Sequence, residues 1–281
     1  MTHPEPESGR AQHPSANDDA AAGAGSGSQP KDLSDELQEQ LKRLERLLNP
    51  GKGAARAVQG GILPAWRRVT RGESRLAVTL AILAAIAMLV ALPDRIALHP
   101  RWLLPGLALL LLIGLIVASP TRIDRQSRAL RGVSLLLIAV ISIANAVTAT
   151  RLIVDLVRGT GIRTPGELLL TGAAIWLTNV IAFGLWYWEF DRGGPVARAH
   201  AKKQYPDFLF PQMGSPPELT PPEWEPEFVD YLYTSFTNAT AFSPTDVMPL
   251  SRWAKLTMLA QSAVSLMTVA LVIARAVNIL K

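Results

Sequence analysis

Residues 133–150 read VSLLLIAVISIANAVTAT, a run without a single charged side chain. A helix needs about 17–25 predominantly apolar residues to cross the hydrocarbon core of a bilayer. This run meets that length and continues past Arg151 and Asp155. Four further uncharged blocks surround it: Leu76 to Leu92, Trp102 to Ala118, Leu168 to Trp188 and Thr257 to Ala274. Each reaches span length, some with tilt or flanking residues. Buried helices of a soluble bundle would carry polar faces, and these blocks carry none. The expected fold class is all-α: a polytopic transmembrane helical bundle of five spans, with a short re-entrant or interfacial helix before the last one.

The rest of the chain divides by composition. Residues 1–30 are rich in Gly, Ser, Pro and Ala and have no apolar core, so they read as a disordered tail and not as a signal peptide. Residues 31–49 form an amphipathic helix, with Asp32, Asp35 and Glu36 in its first turns and Lys42, Arg43 and Arg46 near its end. Asn49-Pro50-Gly51 stops it. Leu37, Leu41, Leu44 and Leu48 make one apolar seam suited to self-association or to a membrane surface. Residues 50–75 are a basic juxtamembrane linker, 76–188 the four-span region, 189–227 a polar Pro-rich loop, and 228–281 a hairpin with the last span.

Charge sets the expected topology. Lys and Arg number 28 against 23 Asp and Glu, and they gather at alternate loops. Lys52, Arg56, Arg67, Arg68, Arg71 and Arg75 precede the first span; Arg122, Arg125, Arg128 and Arg131 lie between the second and third. The loops at 93–101 and 158–167 hold two Arg and one acid each. The positive-inside rule then puts the N-terminus in the cytoplasm. The 189–256 segment falls on the same side and Lys281 on the other. Thr70-Arg-Gly-Glu73 and Thr164-Pro-Gly-Glu167 have the spacing of capping boxes at helix starts. Trp186, Tyr187 and Trp188 read as an interfacial aromatic belt.

The candidate site lies in FVDYLYTSFTNATAFSPTDVMPL, residues 228–250. An aromatic amphipathic segment too short to span leads into Thr234, Asn238, Thr240, Ser243, Thr245 and Asp246 and then into the last span. Irregular backbone at membrane depth needs protein or a water-filled cavity to satisfy its polar groups, and these side chains could line such a place. Arg151 and Asp155, four apart on one helical face, form a candidate intramembrane ion pair. Asn145 and Asn179 are suited to hydrogen bonds between helices.

The stretch from about Trp186 to Leu280 resembles an uncharacterised family of bacterial multi-pass membrane proteins, a domain of unknown function. The resemblance rests on the Gly193-Gly194 turn, PDFLFP at 206–211, FVDYLYTSF, the Thr245-Asp246 step and the closing apolar helix. It covers about a third of the chain and implies a membrane location without an established activity. The hairpin is also similar in layout to the pore module of potassium-type channels, which presents its loop from outside the cell. Aligned on Asp246, the filter positions are Ala241, Phe242, Ser243, Pro244 and Thr245. A potassium filter stacks backbone carbonyls of a TVGYG run. Ser243 and Thr245 replace the glycines that ease its backbone angles, and Pro244 fixes its own φ.

Two classes of function are therefore open: a channel-like or transport-related membrane protein with a degenerate pore-like hairpin, and a non-conducting scaffold that binds partners. Enzyme chemistry is not indicated. The four His are scattered and there is no Cys, so neither a metal site nor a thiol nucleophile is suggested. No dinucleotide or phosphate-loop motif points to a cofactor. The expected partners are the lipid bilayer and a further copy of the chain, through the spans or Leu37 to Leu48, and not nucleic acid. The expected location is the bacterial inner membrane.

Overall fold

The computed structural model describes residues 64–120, 123, 127–159, 164–215, 219–240 and 246–280. The 1–30 tail, the 31–49 helix, most of the 50–75 linker, and Ser243 and Thr245 lie outside the described residues. Five apolar helices form the bundle: α1 (Leu76–Ala91), α2 (Leu103–Ala118), α3 (Arg128–Arg158), α4 (Pro165–Phe190), and α8 (Arg252–Leu280) at the end of the chain. Between the last two lie α5 (Pro195–Ala199), α6 (Pro211–Gly214) and α7 (Phe228–Thr240). A two-residue ribbon, β1 (Phe208–Leu209) against β2 (Met248–Pro249), is antiparallel with Phe208 opposite Pro249. It ties the middle of the 189–227 loop to the foot of α8.

Local chemistry sets the helix ends. Ser127 precedes α3 and accepts from Leu130 N at 3.4 Å, satisfying one of the amides a helix start leaves open. Gly159 closes α3 in the left-handed region at φ 69°, with its amide turned back to Asp155 and Leu156 carbonyls. Thr164 precedes α4 and Pro165 opens it, a position where a missing N–H costs nothing. The Thr164 hydroxyl reaches the Glu167 carboxylate at 3.4 Å, without capping a backbone amide.

Among the described residues, three helices are long and apolar enough to cross a membrane: α3, α4 and α8. The other two, α1 and α2, have 16 residues each, about 24 Å at the usual rise. That is short of the roughly 30 Å hydrocarbon core. The sequence expected five spans of sufficient length. The two helices fill their uncharged runs almost completely, and Pro93 and Pro120 just beyond them prevent any extension. The turn between them is nevertheless drawn into the bundle, with Ile96 and Ala97 buried.

Helix α4 is central and touches α1, α3, α7 and α8, while α2 packs on α1 and α3. The core has two apolar parts. One includes Val78, Ile82, Leu112, Leu137, Leu185 and Tyr231; the other includes Leu89, Ile96, Leu152, Leu168, Ile175 and Val272. A buried polar band separates them along the helices, made of Asn145, Thr178, Asn179, Gln261 and Ser265. Outward faces are apolar as well, including Leu110, Ile113 and Val117 on α2 and Leu259, Leu266 and Ile273 on α8. An exposed apolar surface of that kind marks contact with lipid or protein.

Helix α7 runs back alongside α4. Its first residue, Phe228, lies against Trp188 near the end of α4; Ser235 donates to the Val180 carbonyl at 2.7 Å; Phe236 meets Trp176, close to the middle of α4. Gly184 makes this approach possible, since a Cβ there would lie 3.3 Å from the Leu232 backbone.

The Thr70–Glu73 spacing does not cap α1, which begins only at Leu76 with Arg75 before it. Thr70 donates to Glu225 at 2.8 Å, and Glu73 turns into the protein. Tertiary partners outcompete a local cap here. The aromatic belt also needs correction. Tyr187 and Trp188 are almost wholly buried, because three consecutive residues step by about 100° each around a helix and cannot share an outer face. Their polar tips bond inward, Trp186 to Ser142 at 2.9 Å, Tyr187 to Gln261 at 2.6 Å and Trp188 to Glu73 at 2.7 Å.

Candidate functional site

Of the hairpin candidates, Thr234, Asn238 and Thr240 bond within the protein. Thr234 donates to the Asp230 carbonyl at 2.8 Å and Thr240 to the Thr237 carbonyl at 2.7 Å, both within α7. Asn238 donates across to the Met258 carbonyl at 2.9 Å and to Gln261 at 2.8 Å. Gln261, fully buried, in turn donates to the carbonyl and hydroxyl of Ser235 at 2.9 and 2.6 Å. Ser262 completes the contact by donating to Asn238. Asp246 is exposed. Thr234, Asn238 and Thr240 thus lie on one helix, each with its polar group bonded to a protein carbonyl.

Arg151 and Asp155 are not brought together. The Arg151 guanidinium donates to the carbonyls of Ile96, at 3.3 Å, and Ala97 in the α1–α2 turn. The guanidinium thus serves the carbonyls of the turn and makes no ion pair with Asp155. Asn145 and Asn179 do bridge helices, as the sequence suggested: Asn145 donates to Asn179 at 3.4 Å and Asn179 to Ser265 at 3.1 Å, linking α3, α4 and α8.

A second polar centre was not legible in the sequence. Just past α4 the chain turns through Arg192 at φ 51°, Gly193 at φ 86° and Gly194 at φ 98°. A Cβ on Gly194 would lie 2.9 Å from the Glu189 carbonyl, so this turn requires glycine there. The turn buries Asp191, Arg192 and Arg198 together. Asp191 accepts from Tyr231 OH at 2.6 Å and from the Asp207 amide at 2.8 Å. Asp207, the acid of PDFLFP, accepts from the Arg192 amide at 2.9 Å and from Trp253 at 2.8 Å. Arg198 donates to the Trp188 and Asp191 carbonyls and lies over the Tyr231 ring at 4.9 Å. The Gly193-Gly194 turn and the PDFLFP stretch therefore form a lock joining α4, β1, α7 and α8.

Glu73 closes this lock from the N-terminal side. It accepts from Trp188 Nε1 and from the Phe228 amide, and Arg198 lies 4.0 Å away. Burial pushes its carboxyl up to about 7, against the pull of those two hydrogen bonds and of Arg198.

Beside the lock is a cavity of about 390 Å³ between the ends of α1, α2, α3 and α4 and the α5 turn. Its interior is apolar, formed by Val78, Ile82, Leu112, Leu115, Leu137 and Leu185. At its mouth stand Arg75, Arg128, Arg131 and Lys202. Glu189 lines the wall, accepts from Ser134 at 3.1 Å and lies 3.5 Å from Arg131. Among the described residues no group of His, Cys, Asp and Glu is arranged to hold a metal ion.

No family model, curated protein or solved structure matches this chain.

Proposed function

We propose that this chain is an integral, multi-pass protein of the bacterial cytoplasmic membrane with a cytoplasmic N-terminus, and that it is a non-conducting scaffold or binding protein. In this reading α7 is a re-entrant helix that wedges the bundle together from the cytoplasmic side. The observation that carries it is the use of the hairpin's own polar groups: Thr234, Asn238 and Thr240 each donate to carbonyls of the protein itself. A pore lining would leave such groups facing water or an ion. The apolar outer faces of α2 and α8 supply the surface that lipid would cover. Partner binding through the 31–49 helix, including to a second copy of the chain, belongs to the same reading.

The test is ion flux in proteoliposomes. Purified protein should pass K⁺, Na⁺ and Cl⁻ no faster than protein-free vesicles. Flux that Thr240→Val or Asp246→Asn alters would instead establish the channel-like or transport-related alternative.

A further inference from the structure

We infer that the cavity between α1, α2, α3 and α4 is a binding site for one anionic phospholipid, its phosphate at the basic mouth and an acyl chain in the apolar interior. The inference rests on the membrane reading above. About 390 Å³ is within the range of small-molecule sites, and its two ends differ in chemistry as the two ends of an amphiphile do. Val78, Ile82, Leu112 and Leu115 offer no hydrogen bond to a polar ligand. Arg75, Arg128 and Arg131 offer charge and planar donors suited to phosphate oxygens.

Arg75 carries the argument furthest. Its guanidinium is partly buried at the foot of α1, and its Nε has no hydrogen-bond partner in the structure. A buried donor without an acceptor is unfavourable, and a phosphate at the mouth would supply one. Glu189 does not reverse the sign of the site. Ser134 and Arg131 already engage its two oxygens, and the four cations at the mouth outnumber it. Its position also suits a headgroup hydroxyl, which could donate to it. Basic pockets between helices on the cytoplasmic side are where anionic headgroups are bound, and by the alternation of basic loops this mouth opens on that side.

Phosphatidylglycerol provides the test. The full chain in neutral detergent is titrated with phosphatidylglycerol, phosphatidylcholine or inorganic phosphate, and retained lipid is read by native mass spectrometry. One phosphatidylglycerol per chain should be retained at least tenfold more tightly than phosphatidylcholine. Arg128→Gln with Arg131→Gln should abolish that preference. Thr79→Trp, which fills the cavity from a partly exposed position, should weaken retention about tenfold. Arg252→Gln with Lys255→Gln removes the same charge from outside the cavity and should change nothing.

Equal retention of both lipids, displacement of phosphatidylglycerol by inorganic phosphate alone, or equal loss in the Arg252/Lys255 variant would each overturn the site. Unchanged retention in both cavity variants would do so too. Pelleting with alkali-washed membranes is scored on the same preparations. A protein that pellets but shows no lipid preference refutes the site alone, whereas one that washes off refutes the membrane reading.

Discussion

Glu73 holds a carboxyl between the Trp188 indole and the Phe228 amide, away from water. Its pKa rises from 4.5 to about 7 because burial disfavours the charged form. Between those values the folded protein binds more protons than the unfolded chain. Stability therefore falls as pH rises through this window and levels off above about 7. The full penalty is about 3–4 kcal/mol, from roughly 1.4 kcal/mol per pKa unit. Glu73→Gln keeps an acceptor and removes the charge. Thermal unfolding in detergent from pH 4.5 to 8 should show the wild type losing stability relative to this variant across the window. Parallel profiles would mean that Glu73 is not buried as a carboxyl.

Helix α7 shows how a short element is held. Its stripe of Phe228, Tyr231, Ser235 and Ala239 is buried, while Val229, Tyr233 and Phe236 are exposed. Gln261 of α8 serves three of its neighbours at once: Ser235, Asn238 and Tyr187. Gln261→Leu removes the partner of the buried Tyr187 hydroxyl and one hydrogen bond each from Ser235 and Asn238. We expect a loss of about 2 kcal/mol, measured as a lower denaturation midpoint. Depth can be read separately, because the chain has no native Cys. With α7 re-entrant from the cytoplasm, Val229→Cys should react with a water-soluble maleimide in opened vesicles, and Phe236→Cys should react far more slowly. Equal rates would place α7 on the surface. The amphipathic period of α7 was readable in FVDYLYTSF. Its docking depends on Gly184 and Gln261, both distant in sequence, and was not.

Across the molecule, the apolar helices alternate so that their basic ends coincide. Arg75 before α1, Arg128 and Arg131 on α3, Lys202 and Lys203 beyond α4, and Arg252 and Lys255 on α8 all lie toward the end of the bundle where α7 begins. Asp94, Arg95, Arg101, Arg151, Asp155, Arg158, Glu167 and Arg275 lie toward the other. Such clustering orients a bundle in a membrane. Reporter fusions near Ala201 should be active in the cytoplasm and fusions after Lys281 in the periplasm. The reverse pattern would invert the whole topology and align the hairpin with externally entered pores.

The sequence by itself determined the apolar helices, their order and the asymmetry of charge between alternate loops. These are local quantities: the length of an uncharged run, the position of a proline, the count of cations beside a span. It also indicated that Asn145 and Asn179 bridge helices, since an amide deep in an apolar helix needs a partner. Only the tertiary structure decided which partner each polar group takes. It turned Glu73 from a helix cap into a buried acceptor, sent Arg151 to the α1–α2 turn, and closed Asp191, Arg198 and Tyr231 into one lock. It also left a basic-mouthed cavity at the bundle's end. Those outcomes are competitions between groups far apart in the chain. They are settled by burial and hydrogen-bond geometry, which no single stretch of sequence contains.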